Sequence, residues 1–308
     1  MPMAINEGSE IFPRTAPMPT QPDAHHPAIG WLPAHAPWPA GVAAGVTQRS
    51  GGVSVLPWDS LNLGEHVGDN PAHVQANRQR LAEGMALHPV FLRQVHGNAV
   101  LRLQADTPDG LTADACWTEQ AGLACTVLVG DCLPLLLAAP DGSSVAAVHA
   151  GWRGLAGQGT AQGQGVLEAL CAAWPAAQSP SQRAAIQVWL GPCIGPQRFE
   201  VGPEVRQAFI LHDPAAAACF VPLPGEPTLG AGATAAEAAG AAASKYLADL
   251  PALARQRLAA LGFERVAGND GSAGWCTASQ PSRFFSHRRD GARLGSSGRM
   301  AACIACQT

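Results

Sequence analysis

The run from 132 to 149, CLPLLLAAPDGSSVAAVH, decides how this chain folds. Two apolar runs flank Pro140-Asp141-Gly142-Ser143, and Asp-Gly between such runs favours a two-residue type I′ hairpin turn. With Asp141 and Gly142 as the loop, Pro140 faces Ser143 and His149 faces Pro134. Cys132 lies two residues from Pro134 on the same strand, so it points to the same face. Cys132 and His149 are then diagonal neighbours, about 7–8 Å apart at Cα and within side-chain reach. A loop one residue longer would reverse the parity and separate them.

Around this hairpin the pattern alternates. Residues 122–129 (GLACTVLV), 133–138 (LPLLLA), 144–149 (SVAAVH) and 186–190 (IQVWL) read as strands. Residues 159–173 and 251–261 read as helices, the second stopping at Gly262. Short strands mixed with a few helices predict an α/β or α+β domain. Residues 1–30, rich in Pro and Ala without apolar period, read as a disordered arm. Residues 31–308 read as a single domain interrupted by a low-complexity stretch at about 222–243. The alanine-rich second half of that stretch is expected to join a helix continuing through Tyr246 and Leu250.

Composition narrows the function classes. The 308 residues are 47% hydrophobic and 14% charged, with net charge −4, which disfavours a nucleic-acid partner. Lys245 is the one lysine, which fits a GC-rich genome as well as planar anion recognition by arginine. No apolar stretch is long enough to span a bilayer and no secretory leader is visible, so a cytoplasmic location is expected. Nine irregularly spaced cysteines are no disulfide framework. Cys116, Cys125, Cys171 and Cys219 read as core, and Cys303-Ile304-Ala305-Cys306 has C-x-x-C spacing without a second pair. His25, His26 and His35 read as solvated, and His66 and His73 as residues flanking a loop.

His96, in Arg93-Gln94-Val95-His96-Gly97-Asn98, can complete a set with Cys132 and His149. Two imidazoles and a thiolate suit zinc with a fourth position left open, and they also accept copper. Buried hydrogen-bonded histidines and an inert cysteine are the competing reading of the same residues. Gly151-Trp152-Arg153-Gly154 after His149 forms a glycine-rich turn into a helix, suited to close ligand approach. Arg283 to Asp290, followed by Arg299, is the densest charged patch. It suits phosphate or carboxylate recognition, or else forms a solvated face with Arg289 paired to Asp290.

These segments together resemble the YfiH family, also called the laccase-domain or purine nucleoside phosphorylase family. The likeness runs from Asn62 to Ile304. It rests on residues 61–69 (LNLGEHVGD), Asn77-Arg78, Gln94-Val95-His96-Gly97, Asp131-Cys132-Leu133-Pro134, residues 149–154 (HAGWRG), residues 191–196 (GPCIGP), residues 284–291 and Gly298-Arg299. The resemblance implies an α+β fold, a mixed β-sandwich flanked by helices. It implies a metal site at His96, Cys132 and His149, holding zinc or copper. Phosphorolysis of adenosine, inosine and methylthioadenosine, adenosine deamination and copper-dependent polyphenol oxidation are the activities described for the family. An alternative makes members peptidoglycan-precursor editing hydrolases that remove serine from UDP-N-acetylmuramyl-serine, with Cys132 as nucleophile and His149 as its base.

On either view the partners are small molecules, a nucleoside and phosphate in the first case, with no nucleic acid and no membrane. Asp131 is the candidate acid/base or orienting residue. Arg153, Arg288, Arg289 and Arg299 are candidates for substrate binding. The chain departs from the family pattern by extra residues between Asp290 and Arg299, and by His287 where a tyrosine is expected.

Overall fold

The computed structural model describes residues 29–160, 163–224 and 245–306. The arm, apart from Ile29 and Gly30, and most of the 222–243 stretch lie outside the described residues. Two large sheets stack on each other. The first has five strands, β1 (Trp31–Pro33), β2 (Val42–Thr47), β3 (His88–Phe91), β6 (Leu123–Val129) and β14 (Met300–Cys306), in the order β1-β2-β14-β6-β3. The second has six, β4 (Val100–Arg102), β5 (Ala115–Thr118), β7 (Leu133–Ala138), β8 (Val145–Ala150), β9 (Gln187–Leu190) and β13 (Arg265–Gly268), in the order β13-β9-β7-β8-β5-β4. A small sheet joins β10 (Glu200–Val201), β11 (Phe220–Pro222) and β12 (Tyr246–Ala248). Both large sheets are mixed: β3 runs parallel to β6, β4 to β5 and β13 to β9, and their other pairs are antiparallel.

Helices cover both outer faces. Helix α1 (Pro71–Met85) packs Leu81 and Met85 on Ala124, Leu128, Ala301 and Cys303 of the first sheet. Beyond the second sheet lie α2 (Trp152–Ala156), α3 (Val166–Ala173), α4 (Pro180–Ala185), α5 (Pro203–Ile210) and α6 (Leu250–Leu261). Burial on both faces explains why β6 and β7 are continuous apolar runs rather than alternating ones. Leu133, Leu135 and Leu137 face the helices, while Leu136 and Ala138 enter the layer between the sheets with Val127, Val129 and Ile304. Each fully buried leucine contributes roughly 1.5–3 kcal/mol.

The hairpin register is the one read from the sequence. Pro134 pairs with His149 and Ala138 with Val145. The turn itself differs. Ala139 N donates to Ser144 O at 2.9 Å, which leaves residues 140–143 as a four-residue loop. Gly142 has φ 74°, whereas Asp141 is not left-handed, so the type I′ geometry is absent. Opening the loop by one residue on each side preserves the parity, and the placement of Cys132 and His149 survives the wrong turn type.

Two other expectations are corrected. Tyr246–Ala248 forms strand β12 rather than helix, and α6 starts only after Asp249, whose carboxylate caps Ala252 N at 2.9 Å. Helix α3 begins at Val166, not at 159, because Gly157, Gly159 and Gly163 take positive φ and break the run. No helix among the described residues is long and apolar enough to cross a membrane.

Candidate metal centre

The site forms at one end of the sandwich, where β6 passes into β7, β8 ends, and β14 begins. Cys132 precedes β7 and His149 closes β8, both on the face turned toward the other sheet. His96 arrives on the segment that leaves β3. The Gln94 side chain ties that segment to β6 by accepting from Leu128 N at 2.6 Å and donating to Leu128 O at 2.8 Å. One ligand atom from each of His96, Cys132 and His149 lies within 4.8 Å of the others. Cys132 Sγ is 3.6 Å from His96 Nε2, and the two imidazoles meet edge to face at 4.9 Å.

One carboxylate organises the group. Asp114, fully buried, accepts from Val95, His96 and Gly97 N at 3.2, 2.9 and 2.8 Å. These bonds hold His96 in a left-handed conformation, φ 61°, that a non-glycine residue adopts only under such constraint. Asp114 Oδ1 also lies 2.8 Å from His149 Nδ1. With Nδ1 engaged there, Nε2 is the nitrogen free for a metal. The sequence reading missed Asp114. Its only signal was a single acid between alanines just before a buried strand.

Glycine is required where the backbones approach. A Cβ on Gly151 would stand 2.6 Å from His96 Cδ2 and 3.2 Å from Cys132 Sγ, and one on Gly154 would meet Gly97 O at 2.6 Å.

The electrostatics suit a metal-binding thiolate. Burial works against the charged form of Cys132, but His149 and His96 outweigh it and bring the thiol down to about 6. Burial also opposes the His149 cation, yet the Cys132 and Asp114 charges raise it to about 9. Burial would raise Asp114, while the His149 bond and the Gly97 and Val95 amides hold it below the usual carboxylate range. The donor set, two imidazoles and a readily formed thiolate within reach of one another, fits zinc or copper.

The other candidates separate clearly. Asp131, at φ 136°, accepts from Thr277 Oγ1 and from Arg288 N, both at 2.6 Å, so its two oxygens pin neighbouring loops. Burial raises its pKa. Arg289 was expected to bind substrate, but its five donors are all taken. They go to both oxygens of Asp290 and to the carbonyls of Thr277, Ala278 and Phe284. Its pairing with buried Asp290 is the alternative the sequence allowed. Arg288 is exposed and donates to Glu200 O. Arg153 is exposed and lies over the ring of Trp152, which packs on the core.

Arg299 stands directly before β14 with its side chain against Gly130, two residues from Cys132. The extra residues before it fold outward, Ser296 bonding Val67 O and Trp58 Nε1. His287, in place of the expected tyrosine, donates its backbone N–H to Gly130 O at 2.9 Å. Cys303 and Cys306 are three apart on β14, so they face opposite layers and cannot share a ligand. Cys116, Cys125, Cys171 and Cys219 are buried, as read.

A family model described as multi-copper polyphenol oxidoreductase laccase matches residues 43–307. The purine nucleoside phosphorylase YfiH of Escherichia coli (strain K12) is 44% identical over 270 residues, covering 87% of this chain and 95% of the relative. The chain belongs to the YfiH family. A crystal structure of a Neisseria meningitidis protein described under the family model DUF152 is similar at TM-score 0.74 and 38% identity, covering 91% of this chain and all of that one. YlmD of Geobacillus stearothermophilus is similar at TM-score 0.71 and 30% identity, covering 94% and 98%. The mixed sheets with flanking helices are thus the α+β fold of the YfiH family.

Proposed function

We propose that this protein is a metal-assisted purine nucleoside phosphorylase with zinc as its metal. The observation that carries the reading is the convergence of His96, Cys132 and His149, braced by Asp114, in a chain so similar to proteins named purine nucleoside phosphorylase. His96, Cys132 and His149 would hold the ion. Asp114 fixes the His149 tautomer, and Gly151 leaves room beside the ligands. A bound metal supplies Lewis acidity, polarising a substrate oxygen or lowering the pKa of water. In phosphorolysis a phosphate oxygen bonds to ribose C1′ as the C1′–N9 bond breaks. The electron pair leaves with the purine, and the proton that hydrogen phosphate gives up on forming the ester balances the one the purine takes up as it departs. Asp131 positions loops rather than delivering that proton, because both its oxygens are occupied. Adenosine deamination would use water at purine C6 in the same space. Copper-dependent oxidation is disfavoured by the single donor cluster found among the described residues.

The test is phosphate-dependent release of hypoxanthine from inosine by zinc-loaded protein. Cys132→Ala should abolish it, and full activity in that variant would end the reading.

The low Cys132 pKa beside a raised His149, which suits a metal ligand, also suits a second reading. A thiolate–imidazolium pair would attack an amide, as in the release of serine from UDP-N-acetylmuramyl-serine. Serine release that persists in chelator would select this reading over the first.

A further inference from the structure

Arg299 is a part-buried cation without an anion. Its Nη1 donates to Ser297 O at 2.9 Å and Gly298 O at 3.1 Å, both in its own turn. Among the described residues, Nε and Nη2 have no hydrogen-bond partner, and no carboxylate lies within ion-pair distance of the guanidinium. Arg289 shows what a purely structural arginine looks like in this fold, with every donor used. A guanidinium in such a place, held rigidly with one edge free, is an anion-recognition element. Cys132 and Asp131 are the negative groups whose fields reach it. The Asp131 oxygens are committed to Thr277 and Arg288, and a Cys132 thiolate bound to metal has its charge neutralised.

A second donor sits on the segment clamped to Arg299. Asn62 clamps the two segments together, its Oδ1 accepting from Gly64 N at 3.0 Å and Arg299 N at 2.9 Å. Leu63 N donates to Arg299 O at 3.1 Å, and a Cβ on Gly64 would stand 2.8 Å from Arg299 Cγ. This clamp delivers His66, in the short turn Glu65–Val67, within electrostatic reach of Arg299, Arg78, His149 and His96. The carboxylates nearby are already engaged, Glu65 by Arg78 and Asp69 by Asn62 and Ser54. In the sequence His66 read only as a residue flanking a loop, with nothing to link it to Arg299.

We infer that Arg299 and His66 form the orthophosphate subsite of the centre, with Arg299 holding the dianion and His66 donating an N–H to it. The inference rests on the phosphorolysis reading for its biological role, but not for the binding itself. It places the nucleophile on the Gly130 side of Cys132, where the Arg299 side chain lies.

The experiment has two arms. Inorganic phosphate is titrated calorimetrically into wild type, His66→Gln and Arg299→Lys, and the phosphate and inosine KM values are measured for the same three proteins. Loss of the planar fork or of the imidazole donor should weaken phosphate binding about tenfold or more and raise phosphate KM in step. Inosine KM should not change. His66 is exposed, so His66→Gln keeps the test open if Arg299→Lys fails to fold. Wild-type phosphate affinity in folded His66→Gln overturns the subsite. Phosphate binding that weakens in the variants of a protein unable to cleave inosine supports the subsite and overturns phosphorolysis instead.

Discussion

His149 Nδ1 lies 2.8 Å from Asp114 Oδ1, and the same carboxylate gathers the three amides that set the pose of His96. One side chain therefore orients two of the three proposed ligands. Asp114→Asn keeps the shape but removes the charge and offers the wrong partner to His149. Zinc affinity should fall about 10–100-fold, read by competition with a chromogenic chelator. Unchanged affinity would show that Asp114 serves folding alone.

The Cys132–His149 pair sets a pH signature for the metal-free protein. The Cys132 pKa is depressed to about 6, so the stability its thiolate adds is complete above the unfolded value and is lost as pH falls through 6. The His149 pKa is raised to about 9, so its contribution is complete below its unfolded value and is lost as pH rises through 9. Iodoacetamide labelling should therefore rise with a midpoint near pH 6, and His149→Ala should move that midpoint upward. Cys132 is the one cysteine that is not buried, so labelling should be selective. A midpoint near 9 in the wild type would remove the pair.

Gly151 offers a steric test without backbone strain. Its φ of −69° and ψ of 157° suit alanine, so Gly151→Ala should melt near the wild-type temperature. Its methyl would still press on His96 and Cys132. Activity should drop about 100-fold, as expected for a roughly 1 Å displacement of a reacting group. A variant with normal turnover would place the chemistry elsewhere.

Arg289 and Asp290 predict the opposite split. Arg289→Ala leaves a buried carboxylate without its partner and should cost about 3 kcal/mol in urea denaturation. Inosine and phosphate KM values should hold in the fraction that folds. A raised KM with unchanged stability would return Arg289 to the substrate side.

Much of the site could be read from residues because its central element is local. Cys132 and His149 belong to one hairpin, and strand parity carries them to one face even with a different turn. The doubly buried strands were legible from their apolar runs. What escaped was non-local. Asp114 meets His149 across 35 positions, and Arg299 meets Asn62 across 237. No spacing rule announces such pairs. The β12 strand escaped because three residues after an alanine-rich run carry too little period to oppose helix propensity. The same charge pattern suggested one role for Arg289 and Arg299. Only burial and partner choice separated the spent guanidinium from the free one.

The three proposed ligands come from opposite walls of the sandwich. Cys132 and His149 belong to the six-stranded sheet, and His96 hangs from a segment fastened to the five-stranded one. An ion gripped by all three is a rivet between the walls. Folding and loading then share one free energy, and above the dissociation constant each tenfold rise in free metal adds about 1.4 kcal/mol to stability. The cell's metal supply thereby becomes a dial on how tightly this end of the protein stays shut.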